Sequence, residues 1–211
     1  MPTVNGEPSL SLTALCAPTK LASAPAQARE GIRNAVLAGV QSIEHRVYVD
    51  ESICAEMKAR GAFAVSMLVA SLWVVRKAEQ YPGSVLPQSL RKILAIGPDH
   101  PAGFQMALES GVRIAFGTDS GVGPHGTNLE ELRLMVEAGM TPMQALVSAT
   151  KTASECARMD ADVGTLEPGK LADLLVVDGN PLEDMSFMED KSNLLMIMQG
   201  GRAHKDLVTA G

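Results

Sequence analysis

A chain of 211 residues that is 46% hydrophobic and 20% charged can bury a real core, and suits one domain with an appendage. A net charge of -6, 18 basic residues without a clustered stripe and 3% aromatics argue against a nucleic-acid partner. Three scattered cysteines (Cys16, Cys54 and Cys156) exclude a zinc ribbon or a disulfide framework, and no run of about 20 apolar residues spans a membrane.

The thiols therefore read as reduced, and the N-terminus shows no basic start followed by an apolar core, so no signal peptide is expected. The expected location is cytoplasmic, with neither membrane nor nucleic acid as partner.

Residues 1–29 read as a poorly defined segment. Pro2, Pro8, Pro18 and Pro25 interrupt it, and residues 10–15 suit either a short strand or disorder. From Glu30 the pattern sharpens. Ile32, Ala35 and Val36 share a helical face that Gly39 ends. Residues 40–45 read as a strand finishing in the polar pair Glu44-His45. A helix over 52–60 stops at Gly61, and 62–69 is a second buried strand. Strands alternating with helices make a parallel sheet wrapped by helices.

Residues 70–96 are less regular, with a helix starting near Leu72, a break at Tyr81-Pro82-Gly83 and a new helix from Pro87. The turn at 98–101 caps a helix running to Ser110. A strand then ends at Gly117 and delivers Asp119 to its C-terminal mouth, where α/β folds keep their chemistry. Helices follow over 129–138, 143–150 and 152–158. Past Val163 the chain turns to strands at 172–178 and 194–199, and Gly200-Gly201 turns the latter into Arg202-Ala203-His204.

His45 and Asp119 both stand at C-terminal strand ends, which parallel strands place on one face. A histidine and a carboxylate there suit a divalent ion, and Asp119 also suits a base toward an activated water. Taken singly, each is as readily a hydrogen-bonded core histidine or a helix cap; the shared face favours function. His125, between Pro124 and Gly126, suits either substrate contact or an ordering hydrogen bond in its loop. His100 fits a structural capped turn, and His204 is incidental. Glu44 points to the face opposite His45. Glu130 and Glu131 favour a helix start through its dipole and need no further role. The glycines at 117, 121, 123 and 126 lack the spacing and lysine of a phosphate loop.

Residues 39–45 (GVQSIEH), 116–121 (FGTDSG), 124–132 (PHGTNLEEL) and 163–177 (VGTLEPGKLADLLVV), in that order, resemble the metal-dependent amidohydrolase superfamily, in its imidazolonepropionase-like and Xaa-Pro dipeptidase-like branch. The resemblance runs from about Gly31 to the C-terminus. It implies α/β architecture: the C-terminal part of a (β/α)8 TIM-type barrel with a small β-sandwich appendage. Residues 30–162 would hold about strands six to eight, and 163–211 the small β domain.

The resemblance also implies that His45 is the metal ligand on strand six, and that Asp119 is the strand-eight ligand and general base. It extends weakly to His125 as a substrate contact. The cofactor would be a divalent metal, zinc first, and the substrate a small amide or dipeptide.

Three departures matter. The family's H-x-H pair is absent from these residues, Pro25-Ala26-Gln27-Ala28 stands where the family carries histidines, and Arg46 stands where it usually has glycine. A barrel needs eight strands and a hydrolytic metal about three protein ligands. The sequence offers three convincing strands, a weaker fourth, and two ligands. The leading expectation is an amidohydrolase half that cleaves an amide C–N bond by metal-activated water, inactive or weak alone. Its open sheet edges would seek a second copy or a complementary half. The rival expectation is a non-catalytic remnant serving as an assembly or binding module.

Overall fold

The computed structural model describes residues 21–208. Four short strands, β1 (Ser23–Ala26), β2 (Ser42–His45), β3 (Phe63–Val65) and β4 (Ile114–Ala115), pair in sequence order as a parallel sheet. Helices α1 (Arg29–Ala38), α2 (Glu51–Arg60), α3 (Leu68–Gln80), α4 (Pro87–Ile96) and α5 (His100–Glu109) lie between the strands. After β4 come α6 (Glu130–Glu137), α7 (Pro142–Val147), a π-helical turn (Ser148–Thr152) and α8 (Ala153–Cys156).

Local chemistry sets most boundaries. Gly39 and Gly61 close α1 and α2 in the left-handed conformation, which costs glycine no side-chain clash. Asp50 caps α2 by accepting the Ile53 N–H at 2.9 Å. Thr141 and Gln144 form a reciprocal capping box on α7, with Pro142 at its first turn.

The sheet buries both faces, so β3 is apolar throughout. Ile43, Ala64 and Ile114 join Ile32, Ile53, Met57, Phe104 and Met135 in the main core against the helices. Phe63, Val65 and Ala115 form a smaller cluster on the other face, with Met67 and Cys156 packed on it.

The segment read as poorly defined at 1–29 contains a strand, β1. Ala22 accepts the Gln41 N–H and Ala26 the Arg46 N–H. The alternate residues Ser23 and Pro25 therefore face away from β2, which is where a proline without an N–H is tolerated. The strand suggested for residues 10–15 lies outside the described residues. At the opposite edge, Ser148 closes β4: its Oγ donates to the Ile114 carbonyl at 2.7 Å, and its carbonyl accepts the Phe116 N–H.

The strand expected over 62–69 is shorter than its apolar run. Met67 turns left-handed, with φ of 54°, and Leu68 and Val69 begin α3 instead. The helices expected at 143–150 and 152–158 are joined through the π-helical turn that delivers Ser148 to β4.

Three more strands, β5 (Leu174–Val177), β6 (Leu194–Gln199) and β7 (Arg202–Asp206), form a separate antiparallel sheet, with the expected Gly200-Gly201 turn between β6 and β7. Arg133 on α6 links the two parts, bonding Glu130 and Glu137 on its own helix and Glu189 ahead of β6.

Candidate active site at the strand ends

Four of the five non-glycine residues with positive φ lie at or just beyond strand ends: His45 (67°) and Arg46 (37°) at β2, Met67 (54°) after β3, and Asp119 (55°) beyond β4. Left-handed backbone is unfavourable for such side chains and gathers where a fold must aim particular groups. Gly117 makes this close approach possible, since a Cβ there would lie 2.3 Å from Val65 Cγ1.

The two strand-end candidates meet. His45 Nε2 stands 4.0 Å from Asp119 Oδ2, the imidazole mostly shielded and the carboxylate nearly half exposed. Burial lowers the His45 pKa; Asp119 pulls it back up and Arg46 opposes that. A ring held neutral keeps a nitrogen lone pair available. Burial likewise raises Glu44, whose carboxylate accepts the Ser42 hydroxyl at 2.7 Å.

His45 and Asp119 open onto a cleft of about 460 Å³, a volume within the usual range for small-molecule sites. Gln27, beyond β1, lines it beside them. Lys77 and Ser71 on α3 and Leu86 and Ser89 at α4 contribute from the other side. No residue of α4 is fully buried, so this helix roofs the cleft without belonging to the core.

Beneath the mouth lies a buried polar cluster. Arg46 is fully buried, and its Nη1 donates to the Val65 and Ser66 carbonyls. Glu131 is equally buried and accepts the Leu68 and Val69 N–H groups, at 2.9 and 2.7 Å, at the first turn of α3. The His100 ring centroid is 6.5 Å from that of His45, and its nitrogens lie near the His45 and Ser66 backbone without a well-formed hydrogen bond among the described residues. Burial, then the Arg46 charge, pushes His100 down to about 3.

His100 stands at the start of α5, as its turn implied, and its ring also packs beside that of His45. One reading needs correction: Glu131 does more than favour its own helix start, because it caps a different helix from within the core. A histidine at a helix start and an acid inside an apolar face were the available signals; neither says what lies across the fold. His125 is exposed, is not among the cleft's lining residues and makes no hydrogen bond or ion pair among the described residues. Its neighbour Gly126 faces Lys191 instead.

The amidohydrolase family profile matches residues 21–203, nearly the whole described span. The chain belongs to the amidohydrolase family. It is 31% identical over 189 residues to ochratoxinase from Aspergillus niger, covering 88% of this chain and 38% of that protein. A solved Xaa-Pro dipeptidase with bound methionine in its active site matches at 37% identity with a TM-score of 0.80, covering 88% of this chain and 45% of that one. A prolidase complexed with N-methylphosphonate-L-proline matches at 30% identity with a TM-score of 0.85, covering 92% of this chain and 48% of that one. The chain thus spans less than half the length of these relatives.

Amidohydrolases generally use divalent metals. Imidazole nitrogen and carboxylate oxygen are suitable donors, and bonds of about 2.0–2.2 Å let such a pair share one ion after a small closure. The donor set therefore fits a divalent ion in kind. It is short in number, since no group of three His, Cys, Asp or Glu side chains that could hold a metal occurs among the described residues.

Proposed function

We propose that this chain supplies the C-terminal portion of an amidohydrolase (β/α)8 barrel with its small β domain, and that His45 and Asp119 are two ligands of a divalent-metal centre, zinc first, for hydrolysing a small amide or dipeptide. The observation that carries the reading is the approach of His45 Nε2 to Asp119 Oδ2, 4.0 Å apart at the mouth of the parallel sheet. The family match and the dipeptidase and prolidase likenesses support the substrate class.

An ion held there would polarise the scissile carbonyl and activate water. Asp119 would accept the water proton and pass it to the departing amine as the C–N bond breaks. His45, kept neutral by burial, would hold its lone pair toward the ion. Lys77 offers a positive charge to a substrate carboxylate, and Val74, Leu86 and Ile93 an apolar wall to its side chain. His125 would join only if its loop folded toward the cleft.

Two donors do not complete a hydrolytic site, so the remaining ligands would come from outside the described residues, from a complementary half or from a second copy. As the only source of ligands, this chain should turn over slowly or not at all. The edge at β1 is where further strands would add, although Pro25 there offers no N–H to a new ladder.

The test is zinc stoichiometry together with hydrolysis of Xaa-Pro dipeptides and N-acyl amino acids. Expected are substoichiometric zinc and weak turnover, both abolished in H45A and D119A. Full zinc loading with turnover typical of the family would remove the incomplete-site part. Zinc binding unchanged in both variants would remove the site itself.

A second reading, a non-catalytic assembly or binding module, is favoured by the missing third ligand among the described residues. It predicts no zinc binding and no turnover under any loading condition.

A further inference from the structure

Backbone alone holds Asp119 in place. Its carboxylate accepts no hydrogen bond among the described residues, and its φ of 55° is unfavourable for a residue with a side chain. The segment that carries it is pinned at two points. On the strand side, the Gly117 carbonyl accepts the Met67 N–H at 2.9 Å, and the Gly117 N–H donates to Ser66 Oγ at 3.2 Å. On the far side, the Val122 N–H donates to the Asp119 carbonyl at 3.0 Å and closes a tight turn, and the Gly123 carbonyl accepts the Gly121 N–H at 3.3 Å. Gly123 rests against the indole of Trp73 in α3, since a Cβ there would lie 1.9 Å from Cδ2 and 2.2 Å from Cε3. Trp73 is buried, and neither it nor Gly123 lines the cleft. Their neighbours do: Ala70 and Val74 from α3, and Asp119 and Val122 from the turn.

We propose that Trp73 is a positioning residue, whose indole seats Gly123 and thereby fixes the turn that aims Asp119 at His45. The inference rests on Asp119 being a metal ligand, and it deepens that reading by naming what sets the ligand's aim. A left-handed residue persists only where its surroundings over-determine it. The pins at Gly117 and Gly123 leave only residues 118–122 between them. Trp73 is a firm seat, because its ring is rigid and buried and the first turn of its helix is held by Glu131. Only glycine lets the chain come this close to the ring, so a side chain at 123 would push the turn outward and Asp119 with it.

Two readouts on the full chain test this: hydrogen exchange of residues 117–127 without metal, and zinc titration by competition with a chromophoric chelator at pH 7.5. W73L removes the flat ring, G123A lifts the turn off it and W73F keeps a flat ring. W73L and G123A should exchange faster across 117–127, where the Val122 N–H loses its partner, and should weaken zinc binding about 10–100-fold, as loss of a ligand's support does. W73F should stay close to wild type in both. Trp73 is the chain's single tryptophan, so G123A should also shift its emission to the red. G164A is the control for destabilisation alone. Gly164, between α8 and β5, is left-handed at φ 95°, and a Cβ there would lie 2.1 Å from Ser154 Oγ, away from the cleft. It should lower the melting temperature and move neither readout. Circular dichroism melts establish that each variant folds, and G123A carries the test if W73L does not.

Unchanged exchange and zinc affinity in folded W73L and G123A overturn the role of Trp73, as does an equal change in G164A. The ligand reading survives either result if D119N loses zinc. If D119N binds zinc as wild type does, the ligand reading falls, and exchange in the metal-free chain decides by itself whether Trp73 seats the turn.

Discussion

Glu131 on α6 accepts the Val69 N–H at 2.7 Å and so caps a helix far from it in sequence. The paired bond to Leu68 makes this carboxylate the partner of two orphan donors at the first turn of α3. E131Q keeps the size but turns an amide NH2, which cannot accept, toward one of the two N–H groups, where even the neutral carboxyl presents an oxygen, and should destabilise the protein by about 1–3 kcal/mol at pH 5. Burial raises the Glu131 pKa to about 7 from its ordinary 4.5. A folded-state pKa above the unfolded one gives a contribution that is full below about 4.5 and lost as pH rises to about 7. Urea unfolding at pH 5 and pH 8 should therefore show the wild-type advantage over E131Q shrinking at the higher pH. A constant gap would contradict the assignment.

His100 gives the opposite slope. Its pKa is pushed from 6.5 down to about 3, first by burial and then by Arg46 and His45. Folding then binds fewer protons than unfolding between those values, so stability is present above 6.5 and lost as pH falls toward 3. H100L removes both the titrating ring and two buried nitrogens without well-formed hydrogen bonds. Thermal melts should find it near wild type at pH 7 and more stable than wild type at pH 4.

Asp119 carries strained backbone at a nearly half-exposed site. Asparagine accepts left-handed φ comparatively well. D119N should leave the melting temperature within about 2 °C of wild type in the absence of metal. It should remove the rise in melting temperature that excess zinc gives the wild-type chain. An equal zinc-induced rise in the variant would argue against Asp119 as a ligand.

Two glycines test packing. A Cβ on Gly103 in α5 would lie 2.2 Å from the Val47 carbonyl oxygen, a backbone atom that cannot rotate away. G103A should lose about 1–3 kcal/mol, read by urea denaturation. Gly97 has open space around it, but its helical backbone directly precedes Pro98, whose ring disfavours that conformation for a residue with a Cβ. G97A should be mildly destabilising, by less than G103A.

How much was legible follows from the range of each signal. The β6 strand, the ends of α1 and α2 and the delivery of Asp119 after Gly117 were readable because apolar period and glycine stops act over a few residues. β1 was not, since Ser23-Ala24-Pro25-Ala26 has no strand pattern of its own and is a strand because β2 supplies its ladder. Leu68 and Val69 continue an apolar run that reads as strand, and become helix because Met67 turns left-handed and Glu131 waits for their N–H groups. Of the site, His45 and Asp119 were legible as strand-end polar residues, whereas the cluster under them was not.

By itself, then, the sequence determined the α/β alternation, the order of the motifs and the family, because hydrophobic period, turn residues and motif spacing are written along the chain. Only the tertiary structure decided that His45 and Asp119 approach to 4.0 Å, that His100 packs beside them and that Arg46 is buried with too little compensation. Those are relations across the sheet. The burial that sets a charge's energy depends on elements brought together by folding, and no local pattern reports it.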